Sequence, residues 1–263
     1  MSLKITIIQT KLFWHDRAKN LEWFRSKIDS HPGHTDIYVL PEMFSTGFSM
    51  KVEGIAETMD GEAVRWMKEL ASEKNAVVTG SLMMKEKDRF YNRLIWMFPD
   101  GKYEYYDKRH LFRMAGENDH YSNGNSRIII NYKGWKICPL ICYDLRFPVW
   151  SRNRFKDGKY DYDCLIYVAN WPERRSLAWK TLIHARSIEN LAYVVAVNRI
   201  GLDGNDVNYS GDSAVIDFKG ETLSRTSRFG DRCETVELSM PDLVTFRDSF
   251  PAGMDSDNFS LQI

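Results

Sequence analysis

Three strand-like runs of this sequence, two apolar and one rich in tyrosine, stop abruptly on a reactive side chain, and this limits the folds that the chain can adopt. The first run leads into Glu42, the second into Lys108 and the third into Cys142. Short apolar runs bounded by polar residues are typical of buried strands. A side chain at the end of such a strand is held by a rigid element and faces a cleft. We therefore expect a carboxylate, an ammonium group and a thiol to meet at one edge of a sheet.

Predicted strands and helices alternate along most of the chain. Strand-like runs at residues 3–9, 37–40 and 76–82 are separated by a helix that Asp16 caps and by a helix near 62–73. After a short helix predicted at 147–155, the alternation returns with a long helix near 176–191 between strands at 164–169 and 193–198. This order predicts the α/β class.

Hairpins interrupt the alternation, so we expect mixed sheets. The Pro99-Asp-Gly101 turn joins strands at 90–98 and 102–106, Lys133-Gly134 joins strands at 127–132 and 135–141, and Lys219-Gly220 joins strands at 213–218 and 221–225. A last strand is predicted at 233–238.

The length of the chain predicts its number of domains, and its charge limits the classes of partner that it can bind. The 263 residues with 43% hydrophobic content predict one domain over 1–251, followed by a polar tail over 252–263 that is either loose or placed on a partner subunit. Lys and Arg number 36 and Asp and Glu also number 36. This balance favours neither nucleic acid nor an anionic membrane surface as a partner.

The N-terminus lacks the features of a secretory signal, and no run reaches membrane-spanning length, so we expect a cytoplasmic protein. Its four cysteines lack the dense spacing of a disulfide scaffold and lack a Cys-x-x-Cys pair, so we expect reduced thiols. No pair of its six histidines has helical metal spacing, and no phosphate-binding loop is present. We expect neither a metal nor an organic cofactor.

The three strand-end residues form a chemically complete set for attack on a carbonyl group. A cysteine attacks as the thiolate, so it needs a base, and Glu42 is the candidate. The oxyanion that develops on an amide needs a cation or N–H donors, which Lys108 and the backbone N–H of Tyr143 provide. Taken singly, Cys142 and the two charged residues have ordinary structural interpretations, and only their joint placement favours catalysis.

Three segments of the sequence resemble the signature blocks of the nitrilase, or carbon–nitrogen hydrolase, superfamily, in matching order. They are Leu40-Pro-Glu-Met-Phe44, Tyr106-Asp-Lys-Arg-His-Leu-Phe112 and Ile141-Cys-Tyr-Asp-Leu-Arg-Phe-Pro148. The resemblance implies that Glu42 is the general base, Lys108 the transition-state cation and Cys142 the nucleophile. It also implies a four-layer α-β-β-α sandwich that pairs into a homodimer. Glu117 resembles the second glutamate of the family, although a loop carboxylate is an equal interpretation.

Two further segments indicate a branch of that superfamily. Tyr143 to Phe147 resembles the amidase branch that includes the ω-amidases, and Asn170 to Arg175 is similar to the bacterial ω-amidase group. The resemblance implies a cysteine-dependent hydrolysis, through a thioester, of the terminal amide of a small α-keto acid monoamide of the 2-oxoglutaramate or 2-oxosuccinamate type.

The far carboxylate of such a substrate requires an arginine, because the guanidinium group makes two parallel hydrogen bonds to a carboxylate. We rank Arg174 first, ahead of Arg175 and Arg146. The aromatic residues that border the proposed catalytic and anchoring segments are expected to wall the pocket; they are Phe44, Phe48 and Trp171.

Two alternatives stay open from the sequence. In the first, the substrate is another carbon–nitrogen compound: a nitrile, an N-carbamoyl amine or the amide of deaminated glutathione. In the second, the chain is a non-catalytic assembly module that keeps the fold without the chemistry. The presence of all three reactive side chains argues against the second.

Overall fold

The computed structural model describes residues 1–261, and most of this chain folds into strands and helices. The strands are β1 (Ser2–Gln9), β2 (Ile37–Val39), β3 (Val77–Glu86), β4 (Arg89–Met97), β5 (Tyr103–Asp107), β6 (Ile130–Tyr132), β7 (Trp135–Ile141), β8 (Phe155–Lys156), β9 (Lys159–Tyr160), β10 (Cys164–Ala169), β11 (Tyr193–Asn198), β12 (Ile200–Leu202), β13 (Asn208–Ser210), β14 (Ala214–Ile216) and β15 (Arg232–Ser239). The helices are α1 (Arg17–Ser30), α2 (Glu62–Lys74), α3 (Glu117–His120), α4 (Pro148–Ser151), α5 (Ser176–Asn190) and α6 (Met240–Ser249).

Two mixed sheets form the centre of the molecule. Strands of the first sheet lie in the order β15-β1-β2-β3-β4-β5, and those of the second in the order β14-β11-β10-β7-β6. In the first sheet β1, β2 and β3 are parallel, whereas β4 and β5 follow as antiparallel hairpin strands. In the second sheet β7, β10 and β11 are parallel, and β6 and β14 are antiparallel to their neighbours. The prediction of mixed sheets is confirmed.

The two sheets pack face to face, and helices cover their outer faces. Trp96 of β4 contacts Tyr132 of β6 across the sandwich, with ring centroids 6.4 Å apart. Trp96 is fully buried, and burying an indole contributes about 4–6 kcal/mol of hydrophobic stabilisation. Outside the first sheet, α1 and α2 bury Phe24 and Met67; outside the second, α5 buries Trp179. The layers form the predicted α-β-β-α sandwich.

The strand directions bring the three reactive side chains to one edge. β4 and β5 each reverse the chain, so β5 runs in the same direction as β2 and β3. Glu42 follows β2 and Lys108 follows β5, so both lie beyond the carboxyl ends of strands in the first sheet. Cys142 follows β7 in the second sheet, which packs against the first.

Several segments differ from the prediction. The strand predicted at 221–225 is only an isolated bridge between Ile216 and Thr222. The helix expected at 147–155 ends already at Ser151, and β8 and β9 follow as a small hairpin. Asp157 and Gly158 form its turn with φ of 52° and 74°, a conformation that an Asp-Gly pair accepts readily. Helix α6 was not predicted. It starts after Ser239, whose hydroxyl accepts a hydrogen bond from the N–H of Asp242 at 3.3 Å.

The beginning of the C-terminal tail is attached to its own chain. Residues 252–255 form a 3₁₀ turn, and the N–H of Gly253 donates to the hydroxyl of Tyr160 at 3.1 Å. Residues 262–263 of the predicted tail lie outside the described residues, and its placement on a partner subunit stays a prediction. Within residues 1–261, no helix combines the length and the apolar content that a bilayer crossing requires.

Candidate functional site

Cys142 occupies a strained position at the end of β7. The chain leaves the strand through a 3₁₀ turn over Cys142–Arg146, and Cys142 itself has a φ of 43°. A residue other than glycine in this left-handed region costs about 1–3 kcal/mol, and such residues cluster at functional sites. Cys142 is 8% exposed and lines a cavity.

A buried ion cluster lies beside the thiol. The Nζ of Lys108 donates to Oε1 of Glu42 at 2.9 Å and to both carboxylate oxygens of Glu117 at 2.9 Å. All three side chains are fully buried. The structure therefore brings together the predicted base, the predicted cation and the second glutamate, although 66 residues separate Glu42 from Lys108 along the chain.

The charges of this cluster set the protonation states of its members. Burial alone would lower the pKa of Lys108, but the carboxylates of Glu117 and then Glu42 raise it, so the lysine is charged. Burial raises the pKa of Glu117, and Lys108 opposes that effect. Burial and then the Glu42 charge raise the pKa of the Cys142 thiol well above its ordinary value. The thiol is thus protonated at rest, and attack requires that a base remove its proton.

Asn92 joins the two carboxylates, and sequence reasoning missed it. Its Nδ2 donates to Oε1 of Glu42 at 2.7 Å and to Oε1 of Glu117 at 3.2 Å. The hydroxyl of Ser81 donates to Oδ1 of Asn92 at 2.8 Å, which fixes the amide orientation. The only signal in the sequence was an amide inside the predicted strand β4, between Tyr91 and Arg93.

Asn170, at the end of β10, holds Glu42 from the other side. Its backbone N–H donates to Oε2 of Glu42 at 2.7 Å, and its Nδ2 donates to the Glu42 carbonyl at 2.5 Å. The Sγ of Cys142 lies 3.9 Å from the carbonyl oxygen of Asn170. One residue thus touches both the carboxylate and the thiol. In the sequence, Asn170 was noted only as part of the segment that resembles the bacterial ω-amidase group, and no contact with Glu42 was predicted.

The cavity that Cys142 lines measures about 550 Å³ and has polar and aromatic walls. Phe48 and Trp171 line it, as predicted for pocket walls, and the Nζ of Lys108 lies 5.1 Å from the centre of the Phe48 ring. Phe44 does not line it. The chain turns at Met43, which has a φ of 44°. Phe44 therefore lies on the face of the first sheet that α1 and α2 cover, where it is fully buried against Phe24.

Three arginines line the same cavity, and none has a carboxylate within 4.0 Å among residues 1–261. The guanidinium of Arg146 lies 5.0 Å from the centre of the Trp171 ring, and that of Arg175 lies 5.3 Å from the centre of the Phe112 ring. Nη1 of Arg175 is buried without a hydrogen-bond partner among the described residues. Arg174 is the more exposed of the adjacent pair. This wall carries uncompensated positive charge.

The sequence that builds this site matches a known family. Residues 4–248 match the sequence pattern described as carbon–nitrogen hydrolase. This chain belongs to the carbon–nitrogen hydrolase family. The family resemblance that the three signature blocks indicated is therefore confirmed.

Relatives of this carbon–nitrogen hydrolase extend over its full length. The omega-amidase YafV of Escherichia coli (strain K12) is 46% identical over 259 residues, which cover 98% of each chain. The 2-oxoglutaramate amidase of Bacillus subtilis (strain 168) is 29% identical over 254 residues, or 95% of this chain and 96% of that protein. The chain is thus an enzyme, an ω-amidase-like hydrolase, as the branch motifs indicated.

Solved structures share the fold of this carbon–nitrogen hydrolase. XC1258 from Xanthomonas campestris, described as a CN-hydrolase superfamily protein with an arsenic adduct in its active site, aligns with a TM-score of 0.97 and 44% identity over 100% of both chains. Nit3 of Saccharomyces cerevisiae aligns with a TM-score of 0.82 and 24% identity over 95% of this chain and 94% of that chain. The sandwich prediction is confirmed.

The chemistry available to this carbon–nitrogen hydrolase in the cavity is acyl transfer through sulfur. The thiol, a carboxylate and a charged ammonium group adjoin one another, and the cavity admits a small molecule to them. Among residues 1–261, no three His, Cys, Asp or Glu side chains are grouped as metal ligands would be.

Proposed function

We propose that this enzyme hydrolyses the terminal amide of a small α-keto acid monoamide, of the 2-oxoglutaramate or 2-oxosuccinamate type, to the dicarboxylate and ammonia. The observation that carries the proposal is a cavity lined by a thiol and by three arginines that have no carboxylate partner among the described residues. A substrate with an amide at one end and a carboxylate at the other matches both features. A relative named 2-oxoglutaramate amidase supports the same substrate class.

In the proposed first half of the reaction, Glu42 accepts the proton of the Cys142 thiol as sulfur attacks the amide carbon. The carbonyl π electrons move to oxygen, and Lys108 together with the N–H of Tyr143 stabilises the oxyanion. The oxyanion then collapses, the carbon–nitrogen bond breaks, and the proton held by Glu42 passes to the leaving nitrogen. Ammonia departs and a thioester on Cys142 remains.

In the second half, water replaces ammonia beside Glu42. The carboxylate takes a proton from water, the resulting hydroxide attacks the thioester carbon, and the same oxyanion donors act again. The carbon–sulfur bond breaks, the proton returns to sulfur, and the carboxylic acid leaves. Glu117 and Asn92 orient Lys108 and Glu42 through both halves without entering the bond changes.

Arg175 is the proposed anchor for the substrate carboxylate, ahead of Arg174 and Arg146. Its buried Nη1 has no partner among the described residues, and a bound carboxylate would satisfy it. Burial and then the charges of Arg174 and Arg146 lower the pKa of Arg175, so an anion in the cavity relieves repulsion among the three. The sequence ranked Arg174 first. We now rank Arg175 first because it is less exposed than Arg174.

Replacing Arg175 with Ala is expected to raise KM for an acidic monoamide about 10- to 100-fold, the worth of one charge-assisted hydrogen bond, with little change in kcat. KM for a neutral aliphatic amide should not change, because that substrate has no carboxylate to anchor. Arg154→Ala, which removes an exposed arginine paired with Asp161, is the matched control. Unchanged KM for the acidic monoamide would move the anchor to another arginine.

Ammonia release from a panel of compounds tests the substrate class, with and without prior alkylation of the protein by iodoacetamide. We expect release from the acidic α-keto monoamides, lost after alkylation. Preferred release of ammonia from a nitrile, or of the dipeptide amine from deaminated glutathione, would contradict the proposed class. Carbon dioxide released with ammonia would identify an N-carbamoyl amine as the substrate. No release from any compound would contradict the proposed substrate class.

Pairing into a homodimer and a cytoplasmic location are part of the same proposal. Leu177 of α5 is 78% exposed and Val149 of α4 is 49% exposed, and a second copy of the chain would remove such apolar side chains from water.

A further inference from the structure

Asp144 is a buried carboxylate that the proposed reaction does not use. It lies two residues after Cys142, is fully buried, and accepts four hydrogen bonds. Oδ2 accepts from the hydroxyl of Tyr106 at 2.8 Å and from the backbone N–H of Ile141 at 3.0 Å. Oδ1 accepts from the backbone N–H of His110 at 3.0 Å and from its Nδ1 at 2.8 Å. Every acceptor site of an ionised carboxylate is thus occupied.

The four donors belong to the two segments that carry the reactive groups. Ile141 immediately precedes Cys142, so the carboxylate closes the turn in which that residue is held at a φ of 43°. Tyr106 and His110 lie two residues before and two residues after Lys108. One carboxylate therefore joins the thiol-bearing turn of the second sheet to the lysine-bearing strand end of the first.

The surroundings keep these donors in place. The Nε1–H of Trp150 donates to the hydroxyl of Tyr106 at 2.9 Å, which orients the phenol toward Asp144. Burial and then the charge of Asp144 raise the pKa of Tyr106, so the phenol stays a donor. The imidazole of His110 stacks on Phe147 with centroids 3.7 Å apart and 8° between the planes. Because Oδ1 of Asp144 is the acceptor, Nδ1 of His110 carries a hydrogen.

We propose that Asp144 is a positioning residue for the reaction, holding the turn at Cys142 so that the thiol stays beside Glu42 and Lys108. The inference rests on the proposed function, because it assigns a role within the same site. It requires a carboxylate rather than an amide. Whichever way the amide of an asparagine points, its NH2 group faces a backbone N–H, that of Ile141 or that of His110, and neither can accept.

The test compares Asp144→Asn with the wild-type enzyme in two assays. In the first, ammonia release from an acidic monoamide should show kcat lowered about 100-fold, the effect of a misplacement of about 1 Å, with KM changed less than about 2-fold. In the second, which needs no substrate, the pH dependence of Cys142 alkylation by iodoacetamide should move toward that of a free cysteine. A merely structural role would leave that pH dependence unchanged.

Asp163→Asn is the matched control. Asp163 is also a largely buried carboxylate, accepting from the N–H of Lys136 at 3.0 Å and from Arg247 at 2.8 Å, but it lies at the start of β10 rather than beyond the end of β7. We expect it to lose stability and to keep kcat. A folded Asp144→Asn enzyme with wild-type kcat and a wild-type alkylation profile would overturn the proposal.

Tyr106→Phe decides the matter if Asp144→Asn does not fold. It removes one of the four donors and keeps the buried ring, and we expect kcat to fall about 10-fold with KM unchanged. Unchanged kcat would overturn the positioning role.

Failure of the proposed function is a separate outcome. The wild-type enzyme would then release no ammonia, while the alkylation profiles of the variants would still report whether Asp144 positions the thiol.

Discussion

Replacing Cys142 with Ala is expected to abolish amide hydrolysis while the enzyme stays folded. Removal of a nucleophile that forms a covalent intermediate lowers kcat by about 10⁵-fold or more. The free energy of unfolding should change by no more than about 1 kcal/mol, because only one sulfur atom in the cavity wall is lost and the backbone is otherwise unaltered. Ammonia release and urea denaturation measure the two quantities on the same preparation.

Cys138→Ala is the matched control, since Cys138 lies on the same strand, four residues before Cys142, and is fully buried. Burial raises the pKa of Cys138 to about 12, and neither Glu42 nor Lys108 contacts it within hydrogen-bonding distance in the described chain. We expect the control to lose about 1 kcal/mol of stability and no activity. Ammonia release by Cys142→Ala at the wild-type rate would refute the assignment of the nucleophile.

The sequence predicted that the three reactive residues meet because strand ends are visible in local patterns. Glu42, Lys108 and Cys142 each follow a strand-like run, and the direction of strands in a sheet then places all three at one edge. The order of these three residues and the residues that flank them also indicated the family. Glu117 needed the resemblance, because a carboxylate that opens a four-residue helix after a loop has no distinctive local pattern.

The residues that orient this set could not be located in the same way. Asn92 reaches Glu42 across 50 residues and Asn170 reaches it across 128, so both contacts depend on strand register rather than on neighbouring sequence. Phe44 was misplaced because the turn at Met43, a non-glycine residue with positive φ, is not visible in composition. Local sequence pattern predicts which side chain lies at the end of a strand. The packing of the two sheets determines which residues surround that side chain.

Lys108→Met is expected to cause the largest loss of stability at this site, together with loss of activity. It removes the cation and leaves the carboxylates of Glu42 and Glu117 buried and facing one another across Asn92. Breaking a buried ion pair in this way costs about 3–5 kcal/mol. Urea denaturation at pH 5 and at pH 8 measures the free energy of unfolding, and ammonia release measures the activity.

The loss should be larger at pH 8 than at pH 5. Burial already raises the pKa of Glu117 in the wild-type enzyme, and without Lys108 the attraction that opposes this rise is gone. A carboxyl group whose pKa is raised in the folded state contributes stability that is present below its unfolded pKa of about 4.3 and is lost as the pH rises through the folded value. The variant is therefore destabilised progressively as the medium becomes more alkaline over this interval.

The double variant Lys108→Met/Glu117→Gln separates stability from catalysis. It leaves a single carboxylate, that of Glu42, which keeps its hydrogen bonds from Asn92 and from the backbone of Asn170. We expect it to recover part of the lost free energy and to depend on pH less strongly than Lys108→Met, yet to stay inactive, because the proposed oxyanion-stabilising cation is still missing. The free energy of unfolding could instead depend on pH equally in the wild-type enzyme and in Lys108→Met. That result would show that the charge of Lys108 does not stabilise the carboxylates of Glu42 and Glu117.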